Sequence, residues 1–126
     1  MSAPGGPFAP SRASLDDLVG WLAGTEAAAL SHAELEDELD RRGRELLRQM
    51  VQDQLDLRAT REKRAEVDDA DGYRHGAVET GHVRPLSTVF GPVSVTRLAY
   101  RRRGHANLYP ADGQLNLPPE RHSHGL

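Results

Sequence analysis

Three features of this 126-residue chain predict an α+β fold in which one short and one long helix precede a single β-hairpin. Apolar residues recur with a helical period from Leu15 to Leu57. They switch to alternation between Val83 and Tyr100, and Gly91-Pro92 stands in the middle of the alternating stretch. The length allows one small domain. The core is lean, because only 28 residues are Leu, Val, Met or Phe and isoleucine is absent. Part of the chain is therefore expected to lean on a partner or on further sequence.

Residues 1–13 form a Pro/Gly-rich lead, too poor in apolar area to offset its ordering entropy, and are predicted to be disordered. Residues 14–66 read as a helical region. Ser14 suits an N-cap with Asp17 three residues on, and Leu15, Leu18, Val19 and Leu22 share one face of a short helix ending near Gly24. Ser31 and Glu34 form a second capping box, and no proline follows until Pro85. From there Leu35, Leu39, Leu46, Met50 and Leu57 make a helix-pairing stripe, widened by Leu47, Val51 and Leu55. A helix over 31–66 would be roughly 50 Å long, more than a globule of this size spans, so it is expected to pair with another helix. Arg42 and Gly43 interrupt a coiled-coil seam and mark a place for a bend. Arg58, Arg61, Lys63 and Arg64 suit the negative pole of the helix dipole.

Residues 67–82 read as a linker. Asp68, Asp69, Asp71 and Gly72 break the helix, but they lack the ligand series of a calcium loop and are expected to form a solvated turn. Residues 83–103 read as a hairpin with Gly91-Pro92 at its two-residue turn. Phe90 then faces Val93, Thr88 faces Val95, Leu86 faces Arg97 and Arg84 faces Ala99. Val83 opposes Tyr100 on the other side. A lone hairpin is marginal in water, so the patch around Leu86, Val93 and Val95 needs the long helix or further sequence against it. Residues 104–126 are a Pro-rich irregular connector that ends in the start of a helix at Glu120.

The net charge of −3 conceals a division. Residues 1–66 hold 9 basic and 13 acidic side chains, whereas 67–126 hold 7 and 6. No acid lies between Thr80 and Ala111, where Arg84, Arg97, Arg101, Arg102 and Arg103 fall beside Tyr100. Guanidinium forks match phosphate oxygens and a two-stranded ribbon fits a major groove, so these six residues are the expected DNA-binding set. A cationic strand end making internal ion pairs with the acidic helix is the alternative that composition supports equally.

Other chemistry is not signalled. There is no cysteine, no 18-residue apolar run and no signal-peptide pattern, which predicts a cytoplasmic chain without membrane contact. His122 and His124 would point about 200° apart on a helix. His105, His75 and His82 have no ligand spacing, so no metal site and no cofactor are expected. Neither a nucleophile turn nor a phosphate-cradling glycine loop occurs, and no catalytic residue is assigned.

The stretch Glu79 to Arg101, with Gly81-His82, Leu86-Ser-Thr88, Phe90-Gly-Pro-Val93 and Ala99-Tyr-Arg101, is followed by Asn107-Leu-Tyr-Pro-Ala-Asp112 and Leu115-Asn-Leu-Pro-Pro119. Together with Gly43-Arg-Glu-Leu-Leu-Arg48, it resembles the N-terminal region of the ISKra-type insertion-sequence transposases of bacteria. Members of that family are several times longer, with DDE-type catalytic carboxylates downstream of the segment matching His122-Ser-His124. The resemblance implies an N-terminal piece of a transposase, truncated before the catalytic core and inactive by itself. A divalent metal is then expected only for the absent core. The implied partners are transposon-end DNA, and a second copy or the rest of the transposase. A helix-mediated interaction or dimerisation module without DNA contact is the reading from a different class.

Overall fold

The computed structural model describes residues 6–117. The start of the lead and the helix expected at Glu120 lie outside the described residues. The fold is α+β. Three helices, α1 (Ala9–Leu22), α2 (Thr25–Ala28) and α3 (His32–Arg61), precede an antiparallel hairpin of β1 (Ala77–Thr88) and β2 (Gly91–Arg101), and α4 (Pro110–Gln114) follows. None of these helices is long and apolar enough to cross a membrane.

The capping box forms as expected. Ser31 Oγ accepts the Glu34 N–H at 3.2 Å and Glu34 Oε1 accepts the Ser31 N–H at 2.9 Å, and α3 runs through Gly43 without interruption for 30 residues, about 45 Å. It stops at Arg61, short of the expected 66, because Glu62 turns extended and its carboxylate accepts the Leu98 N–H of β2 at 2.8 Å.

The N-terminal expectation needs correction. Helix α1 starts at Ala9, behind Phe8 in the left-handed region, so Ser14 is an interior residue and 9–13 are not disordered. The cause is a long-range partner: the Ser11 N–H and Oγ both donate to Oδ2 of buried Asp53, at 2.8 and 2.5 Å. Gln49 Nε2 donates to the other oxygen at 2.8 Å. Further along, the Arg42 guanidinium lies 4.2 Å over the Trp21 ring, which makes α1 antiparallel to α3. Asp53 shares a helical face with Leu46, Met50 and Leu57, so the pairing stripe is partly taken up inside the chain. Leu35, Leu46 and Leu57 are half-buried, whereas Leu39 and Met50 remain exposed.

The opposite face of α3 meets the hairpin. Leu86, Val93 and Val95 form the buried cluster, with Val51 and Leu55 from α3 and Leu115 and Leu117 from the C-terminal segment against it. Side chains of α3 also satisfy the outer edge of β2. Arg48 donates to the Pro92 carbonyl at 3.3 Å, and the Gln52 amide bonds both the N–H and the C=O of Ser94, at 2.8 and 2.9 Å. Covering these groups removes an edge on which another strand could add.

The hairpin differs from expectation in its turn. Val89-Phe90 occupies the turn, and Thr88 pairs with Gly91, Leu86 with Val93, Arg84 with Val95 and His82 with Arg97. The turn moves by two residues and the pairing by four, an even number, so each side chain keeps its face. Local bonds at the tip fix it: Thr88 Oγ1 donates to the Gly91 carbonyl at 2.8 Å and accepts the Phe90 N–H at 3.2 Å. Arg44 of α3 donates to the Val89 carbonyl. Gly91 has φ +125°, which favours glycine, and a Cβ there would lie 3.2 Å from Arg48 Cδ, displacing that side chain slightly. Two further boundaries change. Residues 77–82 belong to β1, continued past an irregularity between Glu79 and His82, and the connector contains the short helix α4.

Candidate functional site

The six residues expected to share one basic face are divided by the fold. Arg97 is buried, its Nε donating to Asp112 Oδ1 at 3.0 Å and its Nη1 to the His82 carbonyl at 3.2 Å, with the Tyr109 ring 4.0 Å beneath the guanidinium. Arg84 donates to Asp112 Oδ2 at 3.3 Å. Tyr100 is also buried; its hydroxyl accepts the Ala65 N–H at 3.0 Å, and its backbone pairs with Leu108. These three residues therefore hold the connector on the hairpin and do not present a basic face. Asp112 organises the two arginines. It lies just beyond the acid-free window and carries no periodic signal, which is why its role was not legible in the sequence.

Arg101, Arg102 and Arg103 stay at the surface. They line a cavity of about 420 Å³ with Ala77, Glu79, Gly104 and His105 at the open end of the hairpin. Arg101 pairs with Glu79 Oε2 at 3.0 Å. Arg102 donates to the Arg74 carbonyl at 3.0 Å and lies 4.8 Å over Tyr73. Arg103 is exposed and makes no ion pair with any described residue. The carboxyl of Glu79 is held below the usual carboxylate range, first by the hydrogen bond from His82 and then by that from Arg101.

The same end holds a group that ligand spacing did not reveal. The segment expected to be a solvated turn folds back on itself: the His75 N–H donates to the Val67 carbonyl at 2.8 Å, the Asp69 N–H to the Tyr73 carbonyl at 2.9 Å, and Asp68 bridges Arg74. Asp69 Oδ1 accepts the N–H groups of Asp71 and Tyr73, both at 2.9 Å. Its Oδ2 is left facing His75 Nε2 at 3.0 Å and His105 Nδ1 at 3.3 Å. A second turn supplies His105, whose N–H donates to the Arg102 carbonyl at 3.0 Å. His75 is fully buried, and its Nδ1 lies 3.2 Å from the Tyr100 carbonyl. The Asp69 carboxyl is held low, chiefly by the hydrogen bond to His75, with the Tyr73 and Asp71 N–H groups adding to it. The tight turn at Asp69 to Gly72 was the only sequence signal, since it brings residues 68 and 74 opposite each other.

Comparison with known proteins adds no relative: no family model, curated protein or solved structure matches the chain.

Proposed function

We propose that this chain contacts DNA backbone through Arg101, Arg102 and Arg103, as the N-terminal portion of an ISKra-type insertion-sequence transposase acting in DNA transposition, without catalytic activity of its own. The observation that carries this reading is the consecutive exposed arginines at the open end of the hairpin, with one of them unpaired among the described residues. Arg101 and Arg102 keep guanidinium surface toward solvent while their internal bonds fix their direction, which limits the entropy lost on meeting a phosphate. Arg84, Arg97 and Tyr100 act behind them by holding the hairpin and connector together.

The test is duplex-DNA affinity measured by fluorescence anisotropy across a salt series. Changing Arg101, Arg102 and Arg103 together to alanine should weaken binding and flatten the slope of log affinity against log salt by about 2 to 3, roughly one per lost phosphate contact. An unchanged slope removes these residues from the interface.

A second reading, self-association through the helices, is favoured by a separate observation. Leu15, Val19 and Leu22 of α1 and Leu39, Leu47 and Met50 of α3 are all exposed, and the antiparallel pairing of the two helices puts them on one side. Along that side of α3, Glu36 and Asp40 occupy the N-terminal half, Arg58 and Arg61 the C-terminal half. An antiparallel second copy would therefore set acids against arginines around Leu47 and Met50. Sedimentation velocity should then show a dimer that Met50→Glu abolishes, and a wild-type chain monomeric at every concentration rules it out.

A further inference from the structure

We infer that Asp69, His75 and His105 form a binding site for one borderline divalent cation of the zinc type. The ligand atoms of the three residues lie within 4.8 Å of one another, two of the separations being 3.0 and 3.3 Å. A tetrahedral zinc ion with bonds near 2.0 Å sets its ligand atoms about 3.3 Å apart, so the cluster needs only a small closure to accept one. Two imidazole nitrogens and one carboxylate oxygen suit zinc better than calcium or magnesium, which take oxygen sets.

The surroundings of His75 carry the argument further. Its Nδ1 faces the Tyr100 carbonyl and its Nε2 faces the Asp69 carboxylate, so both ring nitrogens meet oxygen atoms that can only accept. A neutral ring holds one proton and leaves its other nitrogen directed at an oxygen lone pair. Two arrangements satisfy both nitrogens: an imidazolium, or a ring that donates Nδ1–H to the carbonyl and gives its Nε2 lone pair to a metal. The second is the usual state of a metal-bound histidine, in which a backbone carbonyl fixes the tautomer and the ring plane. Asp69 is prepared in the same way, because two backbone N–H groups occupy Oδ1 and leave Oδ2 toward the histidines. His105 closes the third side, its ring 5.0 Å from Tyr73 and 5.8 Å from His75. Three protein ligands leave a fourth position for water. The ion would tie the turn at 69–75 to the turn at 102–105, adding to the Arg102–Arg74 hydrogen bond and the Tyr73–His105 ring contact. This inference does not rest on DNA binding.

The experiment is titration of the metal-free full chain with zinc and with cobalt(II) as spectroscopic probe. Equilibrium dialysis should give one ion per chain, with the visible d–d absorption of a tetrahedral cobalt site. The ring protons of His75 and His105 should shift on zinc addition while those of His32 do not. His105→Ala changes a partly exposed residue and keeps the fold readable by circular dichroism. Together with Asp69→Asn, it should lower affinity at least tenfold, whereas His32→Ala leaves affinity unchanged. Absence of binding by the wild-type chain, or wild-type affinity in folded His105→Ala, overturns the assignment.

Discussion

The two ends of the hairpin are held by different forces. Around the turn, Leu86, Val93 and Val95 pack on Val51 and Leu55 of α3, with the strand edge bonded by Arg48 and Gln52. From Arg84, the cross-strand partner of Val95, toward the open end the side-chain pairs are polar: Asp112 with Arg84 and Arg97, Asp69 with His75 and His105, Glu79 with His82 and Arg101. The first end draws its stability from area removed from water, which neither pH nor ions alter much. The second depends on charge pairing and responds to protons, salt and metals. The aliphatic cluster thus lies toward the turn, while at the open end buried Ala99 and Tyr100 are ringed by charge pairs, and that charged end is where function is proposed.

This contrast can be broken from either side. Leu86→Ala should have the largest effect, about 3 kcal/mol of stability, since it empties the centre of the apolar cluster. Urea unfolding should show a lower midpoint with an unchanged slope, and the loss should be the same at low and high salt. Asp112→Asn should cost about 2 kcal/mol, because buried Arg97 would keep its charge while losing the carboxylate that accepts its Nε. That loss should shrink in high salt, and a salt-independent result would place the open end in the same class as the apolar one. The smallest effect is expected from Glu79. Its folded pKa is depressed, so its contribution is present above the unfolded carboxylate range and is lost as pH falls through the folded value. Acid titration followed by NMR should show Glu79 protonating below the ordinary glutamate range, with Arg101→Ala moving it part of the way back.

The sequence was informative where a structure depends on near neighbours. Ser31 and Glu34 are three residues apart and reach each other in any helix that begins there, so the cap and the helix behind it could be read directly. Alternation over 83–100 likewise assigned Leu86, Val93, Val95 and Arg97 to one face, and the register shift left that assignment intact. The metal-type cluster was hidden for the opposite reason: His105 is thirty or more residues from its partners, with no ligand spacing to announce it.

By itself, then, the sequence determined the α+β class, the long capped helix and the two faces of the hairpin, because periodicity and capping act within a few residues. Tertiary structure decided where the turn falls, where α1 begins and which arginines remain outside. Those outcomes depend on partners brought together from afar: Asp53 for Ser11 across 42 residues, Arg44 for Val89 across 45, Asp112 for Arg97 across 15. A guanidinium in the sequence does not specify its carboxylate. Folding of the connector and α4 onto the hairpin does, by deciding which charges are covered and must be paired.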